Sequence, residues 1–396
     1  MQNYQNWHEE FEEILREDFS HLTRPVRRNL SHLVLALILL LRTPRSWYGK
    51  ISVSGIARTF PTGTTPKIRY KRLYRFLDNP HFTMDSLSPG LLTLVQPQRK
   101  DKLLPLIVDQ TAIGDVEVIT GSYPTQGRAI PMSMVSFEYG KIKHSRNCIE
   151  DNFLLKLASS CPAGVRPVWI MDRGYARVSL MQFCRLHQWL YIIRGRRDVI
   201  VEYREKGRVY RKSLGRLRHR QGVARRYSNV LYQGQRREKV DIIVYRERGF
   251  KEPWFLIVPA SSEKLLPTEL VISWYRARMM IEVSFRDFKS QLGIKGLTLR
   301  VRKAERLNRL LCGLVLVYIL FLSLGASCLG EGLRKAFEIP RLKPRHGTTR
   351  TLSVLSLALM AITDTFMLTS WDLMKVLIGL LERLRQPEVF ASPLIA

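Results

Sequence analysis

From Leu103 onward the chain falls into short apolar runs closed by turns: LPLIVD, IPMSMVSF, PVWIMD and LYIIRG. Runs of this length with almost no polar interruption predict strands buried on both faces of a sheet. The segments Leu154–Ser160 and Leu180–His187 between them predict helices, so the block reads as α/β. Residues 1–100 have another rhythm, helical throughout: an acidic amphipathic start, the apolar run Leu33–Leu41, then SVSGIARTFPTGTTPKIRYKRLYRFLDN. That last stretch reads as a short apolar helix, a Gly/Thr/Pro turn and a basic helix, the layout of a helix-turn-helix.

The alternation changes again over residues 191–254, where β-forming residues interleave with Arg and Lys, and Gly marks the turns. The α/β rhythm returns at Trp254 (WFLIVPASSE) and leads into a long helical segment from Thr268 to about Leu292. Beyond Leu329 the chain is helical and flecked with basic residues (RLKPRHGTTR), ending in amphipathic runs such as SWDLMKVLIGLLERL. The expected division is therefore a helical region 1–100, an α/β core 101–330 carrying the β-rich insertion 191–254, and a helical region 331–396. No internal repeat or low-complexity tract breaks this order.

Charge adds a partner class. The 396 residues carry 64 Lys and Arg against 34 Asp and Glu, a net charge of +30. Such an excess repels itself unless a polyanion neutralises it, and nucleic acid is the usual polyanion. Residues 191–250 alone hold 18 Lys and Arg against 6 Asp and Glu, a surplus of 12 that marks the insertion as a surface laid along phosphates. In the N-terminal basic helix, Lys71, Arg72 and Arg75 mix with Tyr70, Tyr74 and Phe76, which points to DNA contact; a solvated helix on a bundle would look similar.

The five cysteines are scattered, without a CxxC pair or zinc-ligand spacing, as expected of reduced cytosolic thiols. The Glu-rich start MQNYQNWHEEFEE is the opposite of a signal peptide. Leu310–Leu329 has no charged residue and is long enough to cross a bilayer, but Lys and Arg flank it on both sides. A wholly buried core helix is the preferred reading, with no membrane partner expected.

The chemistry concentrates in a few acidic residues. Asp109 closes LPLIVD and Asp172 closes PVWIMD, at the sheet edge where α/β folds open onto ligands; each could alternatively be a turn-initiating Asp. In SWYRARMMIEVSFRDFKSQLG, the residues Tyr275, Arg278, Glu282 and Lys289 are spaced by three, four and seven. On an ideal helix they share a stripe within about 60°, and Arg286 joins it one turn past Glu282. Trp274, Ile281, Phe285, Phe288 and Leu292 form the adjoining apolar stripe that would pack on the sheet. Three carboxylates gathered in a basic protein suggest two divalent cations of the magnesium type, which take oxygen ligands and leave room for phosphate oxygens. Arg278 and Lys289 would then position phosphates, and Tyr275 could donate to one.

These residues resemble a known family. Tyr275-x2-Arg278-x3-Glu282-x6-Lys289 is similar to the Y-x2-R-x3-E-x6-K signature of insertion-sequence 4 family DDE transposases. Asp109 in IVDQTAI and Asp172 in WIMDRGY look like the family's two aspartates, and RAIPM (Arg128–Met132) resembles a segment usual between them. The resemblance covers about 103–325, and the helical ends match only in general character. It implies an RNase H-like catalytic core interrupted by a β-rich insertion, with Asp109, Asp172 and Glu282 as catalytic metal ligands. It further implies Mg²⁺, for which Mn²⁺ substitutes, and cut-and-paste strand cleavage and transfer through a hairpin. The implied partners are double-stranded DNA at terminal inverted repeats, target DNA and a second copy in a synaptic homodimer; the implied setting is the bacterial cytoplasm, at the nucleoid. Relatives flip a base onto a tryptophan at the end of the insertion, a place Trp254 holds here; an ordinary core aromatic is the plainer reading. Arg286 would share the phosphate contact of Lys289. The competing readings are a transposase-derived DNA-binding protein or repressor without activity, and a basic protein anchored by Leu310–Leu329. Asp115 is the nearest rival to Asp109.

Overall fold

The computed structural model describes residues 2–43, 51–94 and 102–338 apart from 126, 144, 234–236, 298 and 300–302, then 352–363, 376 and 379. The apolar runs form strands: β1 (Leu103–Ile113), β3 (Arg128–Phe137), β4 (Arg166–Met171) and β5 (Leu190–Arg194), with β2 (Val116–Thr125) between the first two. In the sheet their order is β3-β2-β1-β4-β5. β1, β4 and β5 run parallel, and β2 is antiparallel to both β1 and β3. Helices α6 (Arg146–Ser159) and α7 (Val178–Leu186) precede and follow β4.

Residues 191–254 do not stand apart from this sheet. β6 (Ile200–Glu205), β7 (Arg208–Ser213), β8 (Arg225–Tyr232) and β9 (Glu238–Tyr245) extend it through β10 (Trp254–Pro259), which pairs with β5. The result is one ten-stranded mixed sheet ending in β10-β9-β8-β6-β7. Its continuity explains why β9 and β10 are apolar runs while β7, at the outer edge, is exposed and basic.

Alternation assigns the side chains of the inner strands to two faces. Leu104, Leu106, Val108, Trp169 and Met171 join the larger core, and Leu103, Ile107, Val168 and Ile170 join a second one on the other face. Both faces are covered, which is why these strands read as unbroken apolar runs. The second face receives α8 (Thr268–Ala277) and α9 (Met279–Arg286) through Trp274, Tyr275 and Ile281.

The larger core includes the N-terminal helices α1 (Gln2–Asp18), α2 (Arg24–Arg42), α3 (Val53–Thr59), α4 (Pro66–Leu77) and α5 (Met84–Leu94). The apolar stretch beginning at Leu310 lies in α10 (Lys303–Ala326) and runs through this core. It is long and apolar enough to cross a membrane, and 94% of its apolar window is buried inside the protein. A Cβ on its Gly313 would stand 2.7 Å from Leu33 Cδ2, so glycine lets α10 lie close against α2. The polar end of α10 stitches two regions together. Arg309 donates to Leu77 O and Phe82 O, both at 2.9 Å, satisfying a carbonyl at the end of α4. Arg306 grips Asp78 with two bonds of 2.8 Å, and Asn308 Nδ2 donates to Met134 O on β3.

The chain continues through α11 (Cys328–Phe337) and α12 (Val354–Thr363). RLKPRHGTTR and nearly all of SWDLMKVLIGLLERL lie outside the described residues.

Candidate active site

Strand register brings the two aspartates level. Val108 is paired with Met171 across the parallel β1–β4 ladder, so Asp109 and Asp172 are the next residues on neighbouring strands. Alternation places both on the face of Ile107 and Ile170, the face covered by α8 and α9. One expectation is corrected here: Asp109 does not end its strand. β1 runs on to Ile113, because its antiparallel partner β2 continues (Asp109 opposite Thr120) after its parallel partner β4 has stopped.

Asp172 opens a tight turn. Its Oδ1 accepts the Gly174 N–H at 2.7 Å, and a Cβ at position 174 would come within 3.0 Å of that oxygen. Glycine here lets the backbone fold onto the carboxylate. Asp109 Oδ1 likewise accepts the Gln110 N–H at 2.8 Å.

Glu282 arrives from the opposite side on α9, with its side chain 51% exposed. Arg278, only 9% exposed, lies at the joint between α8 and α9 and bridges the site. Its Nη1 donates to Asp109 Oδ2 at 2.9 Å and its Nη2 to Glu282 Oε1 at 3.0 Å. Burial pushes the Asp109 carboxyl up to about 6 from 3.8; the Gln110 N–H and Arg278 oppose the rise, while Asp172 and Glu282 add to it. The three acidic side chains therefore share one electrostatic environment.

The helical segment is less regular than its sequence spacing suggests. The Arg278 N–H bonds back three residues to Tyr275 O, and the Ile281 N–H to Arg278 O, so the chain winds tightly there. After α9 it unwinds into a π turn, Asp287–Gln291, closed by the Leu292 N–H on Asp287 O at 2.8 Å. Gly293, at φ +81°, then ends the helix in the left-handed region. The ideal stripe is interrupted, since a wider turn rotates everything beyond it. Lys289 feels Glu117 on β2 and Lys295 rather than the three carboxylates, and burial lowers its pKa. Arg286 is exposed one turn beyond Glu282.

A buried network fixes the π turn. Arg128 Nε donates to Asp287 Oδ2 at 2.5 Å, and Asp287 is 2% exposed. Tyr318 Oη on α10 donates to the same oxygen at 3.1 Å, while Ser284 Oγ accepts the Ala129 N–H at 2.9 Å.

Beside the carboxylates lies a cavity of about 250 Å³, lined by Asp172, Arg173, Arg194, Glu252, Tyr275 and Arg278. It shares Arg173, Arg194 and Glu252 with a second cavity of about 190 Å³ that continues to Arg196 and Arg197. These arginines were not singled out from the sequence; the density of cations in YIIRGRRD was the available signal. Tyr275 is buried, which raises its pKa against the opposing effect of Arg278 and Arg194. Trp254 is half-buried, edge-on to Tyr275 with ring centroids 5.2 Å apart, and Phe250 is exposed 6.3 Å beyond it.

The remaining candidates are elsewhere. Asp115 sits on the β1–β2 turn and pairs with Lys303, away from the site. On α4, Lys71 and Arg75 are exposed together with Lys67, Ile68 and Tyr70. Arg72 is turned inward: its Nε donates to Asn29 Oδ1 at 2.8 Å and its guanidinium lies over Phe60. That partner is 43 residues away, so helix periodicity alone gave no sign of it.

Divalent cations would draw oxygen ligands from Asp109, Asp172 and Glu282, and the donor chemistry fits: hard carboxylates, with the proton affinity of Asp109 raised chiefly by burial and further by the other two. Among the described residues no group of three or more acidic, His or Cys side chains is already gathered tightly enough to hold a metal ion. Arg278 holds two of the three instead.

With this geometry in view, residues 134–320 match the family described as the transposase DDE domain. The matched span contains Asp172, Arg278 and Glu282 and begins after Asp109. Over these residues the chain is similar to that family. No curated protein matches the chain.

Proposed function

We propose that this protein is a DDE transposase of the insertion-sequence 4 type, cleaving DNA at transposon ends and transferring the freed strand. The carrying observation is Asp109 and Asp172 level on parallel strands, with Glu282 from the facing helix joined to Asp109 through Arg278, which lines one cavity with Asp172. The order β3-β2-β1-β4-β5 with β2 antiparallel supports an RNase H-like core, and the basic outer strands suit phosphates.

Asp109, Asp172 and Glu282 would hold Mg²⁺, which Mn²⁺ can replace; divalent metals are general for DDE transposases. When bound there, such ions would supply activation of an attacking water or 3′-hydroxyl and charge stabilisation of the leaving oxygen. The chain's own residues do the rest. Arg278, Arg173 and Arg194 line the cavity where the scissile phosphate sits, and the planar guanidinium matches two of its oxygens at once. Tyr275 donates to a phosphate from the cavity wall. Arg286 and Lys289 hold DNA further along α9 and the π turn. Trp254, backed by Tyr275, takes an unstacked base if cleavage passes through a hairpin. Lys71 and Arg75 meet the terminal repeat from α4, and two copies in a synaptic homodimer bring two ends together.

The test uses duplex DNA taken from both flanks of the gene, with Mg²⁺. Wild type is expected to nick it at the repeat ends. Glu282→Gln should fall by roughly 10³-fold or more, the scale of losing several kcal/mol of charge stabilisation. Equal cleavage by both proteins would sink the assignment. Specific binding by wild type without nicking would favour a transposase-derived repressor.

A further inference from the structure

If the carboxylate site acts on DNA as proposed above, its loading with cations needs a control, and Arg278 stands where one would act. We propose that Arg278 is a displaceable latch: it competes with divalent cations for Asp109 and Glu282, and a phosphodiester in the adjoining cavity draws it off. Cation loading is then coupled to DNA binding.

The latch is seen in what Arg278 holds and what it leaves free. Two arms of the guanidinium occupy one oxygen each of Asp109 and Glu282. A cation approaching those oxygens meets a fixed positive charge at contact distance, and the repulsion is stronger at the mostly buried Asp109 than at the water-facing Glu282. The third nitrogen, Nε, is buried without a hydrogen-bond partner. An unfilled donor in a buried guanidinium is costly; Arg177 shares this feature while binding Glu150 and Asp151, so what sets Arg278 apart is the cavity it also lines. Arg226, for comparison, spends its nitrogens on Asp241, Leu266 O and Ser262.

The cavity supplies the competing partner. Arg278 lines it together with Arg173 and Arg194, three cations against Asp172 and Glu252. A phosphodiester seated there offers the guanidinium two oxygens in the geometry of its fork. The move is local, because Arg278 lies at the joint between α8 and α9, with Tyr275 one turn back and its ring centroid 6.0 Å away. Linkage makes the coupling reciprocal: if phosphate strengthens cation binding by some factor, the cation strengthens phosphate binding by the same factor. DNA-free protein would thus carry little bound cation, and DNA with cation would assemble the working site together.

The experiment measures Mn²⁺ binding to the full chain by electron paramagnetic resonance, with Mn²⁺ as the only added metal. Arg278→Met, which keeps much of the length but no charge, is expected to bind Mn²⁺ roughly tenfold or more tightly than wild type. Adding Asp109→Asn to that variant should abolish the gain, showing that the tightened site is this one. In wild type, saturation with the phosphodiester dTpdT should tighten Mn²⁺ several-fold, with dTpdT alone as the blank. A purely structural pin predicts the reverse, since its loss would loosen the carboxylates and weaken the metal. Misfolding cannot imitate a gain in affinity. If Arg278→Met does not fold, Arg278→Lys carries the same test with a smaller gain, because an ammonium cannot span both carboxylates. Mn²⁺ affinity unchanged or weaker in the folded variant overturns the latch. Cleavage by wild type without any tightening would leave the transposase reading standing and the latch refuted; tightening without cleavage would do the opposite.

Discussion

Arg278 and Arg128 both bind carboxylates on the helical segment that begins at Thr268, yet their surroundings have little in common. Arg128 meets Asp287 in the interior, where Tyr318 shares the carboxylate and β3 closes over Ser284. Arg278 meets Asp109 and Glu282 beside an open cavity, with one nitrogen unfilled. The first pair has a buried carboxylate shared with a tyrosine; the second has an unfilled donor, an exposed partner and a route for an anion. The same two functional groups thus hold a turn in one place and stay exchangeable in the other, and the burial of the carboxylate partner with access to an anion decides which.

The strongest way to break the comparison is to remove one charge from each pair. Asp287→Ala removes the buried carboxylate and leaves the partly buried Arg128 without its partner, and should cost about 3 kcal/mol in urea unfolding. If it costs no more than a surface substitution, the first pair is misjudged. Replacing both partners, as Arg128→Met with Asp287→Leu, should recover most of that loss, since well-packed apolar groups often match a buried ion pair.

Asp109 gives an intermediate effect with a definite sign. Its folded pKa is about 6 against an ordinary 3.8, so between those values the folded state binds a proton that the unfolded state has lost. Stability in the absence of metal therefore falls as pH rises through that window and stays low above about 6. Relative to Asp109→Asn, wild type should lose on the order of 2 kcal/mol across it, read from thermal melts at a series of pH values. Parallel curves for the two proteins would contradict the burial that produces the shift.

Arg278→Met should change stability less, by about 1–2 kcal/mol, because Glu282 faces water and Asp109, mostly buried, can take up a proton when the guanidinium leaves. A loss as large as that of Asp287→Ala would erase the distinction between the two arginines. The smallest effect is expected on α4. Lys71→Ala should leave melting unchanged and lower the salt slope of DNA binding by about one unit, whereas Arg72→Ala should lower melting through Asn29 and leave the slope alone.

How legible these features were depends on the range of the forces involved. LPLIVD and PVWIMD were readable because strands covered on both faces need apolar residues at every position, and the carboxylate that follows each run is conspicuous. Glu282 and Arg278 were readable because they lie one turn apart, within the reach of helix periodicity. β2 was missed: VEVITGSYPT lies between covered strands yet carries Glu, Gly, Ser and Pro, so neither template fits it. The full length of β1 was missed for a related reason, since QTAI stays extended only through pairing with β2. The π turn leaves no local mark; what maintains it is Arg128, 159 residues before Asp287 in the chain. Arg72 was read as an outward cation because the inward pull of Asn29 and Phe60 is a tertiary fact.

The single ten-stranded sheet also works as a ruler. From β4, which carries Asp172 at its end, to the basic edge strand β7 there are six strand spacings. At roughly 4.8 Å per spacing that is about 29 Å, close to the rise of eight or nine base pairs of duplex. If the protein cleaves DNA as proposed, a hydrogen-bonded ladder would set the cleavage point and phosphate contacts on the edge strand just under one helical turn apart, an interval fixed by strand count.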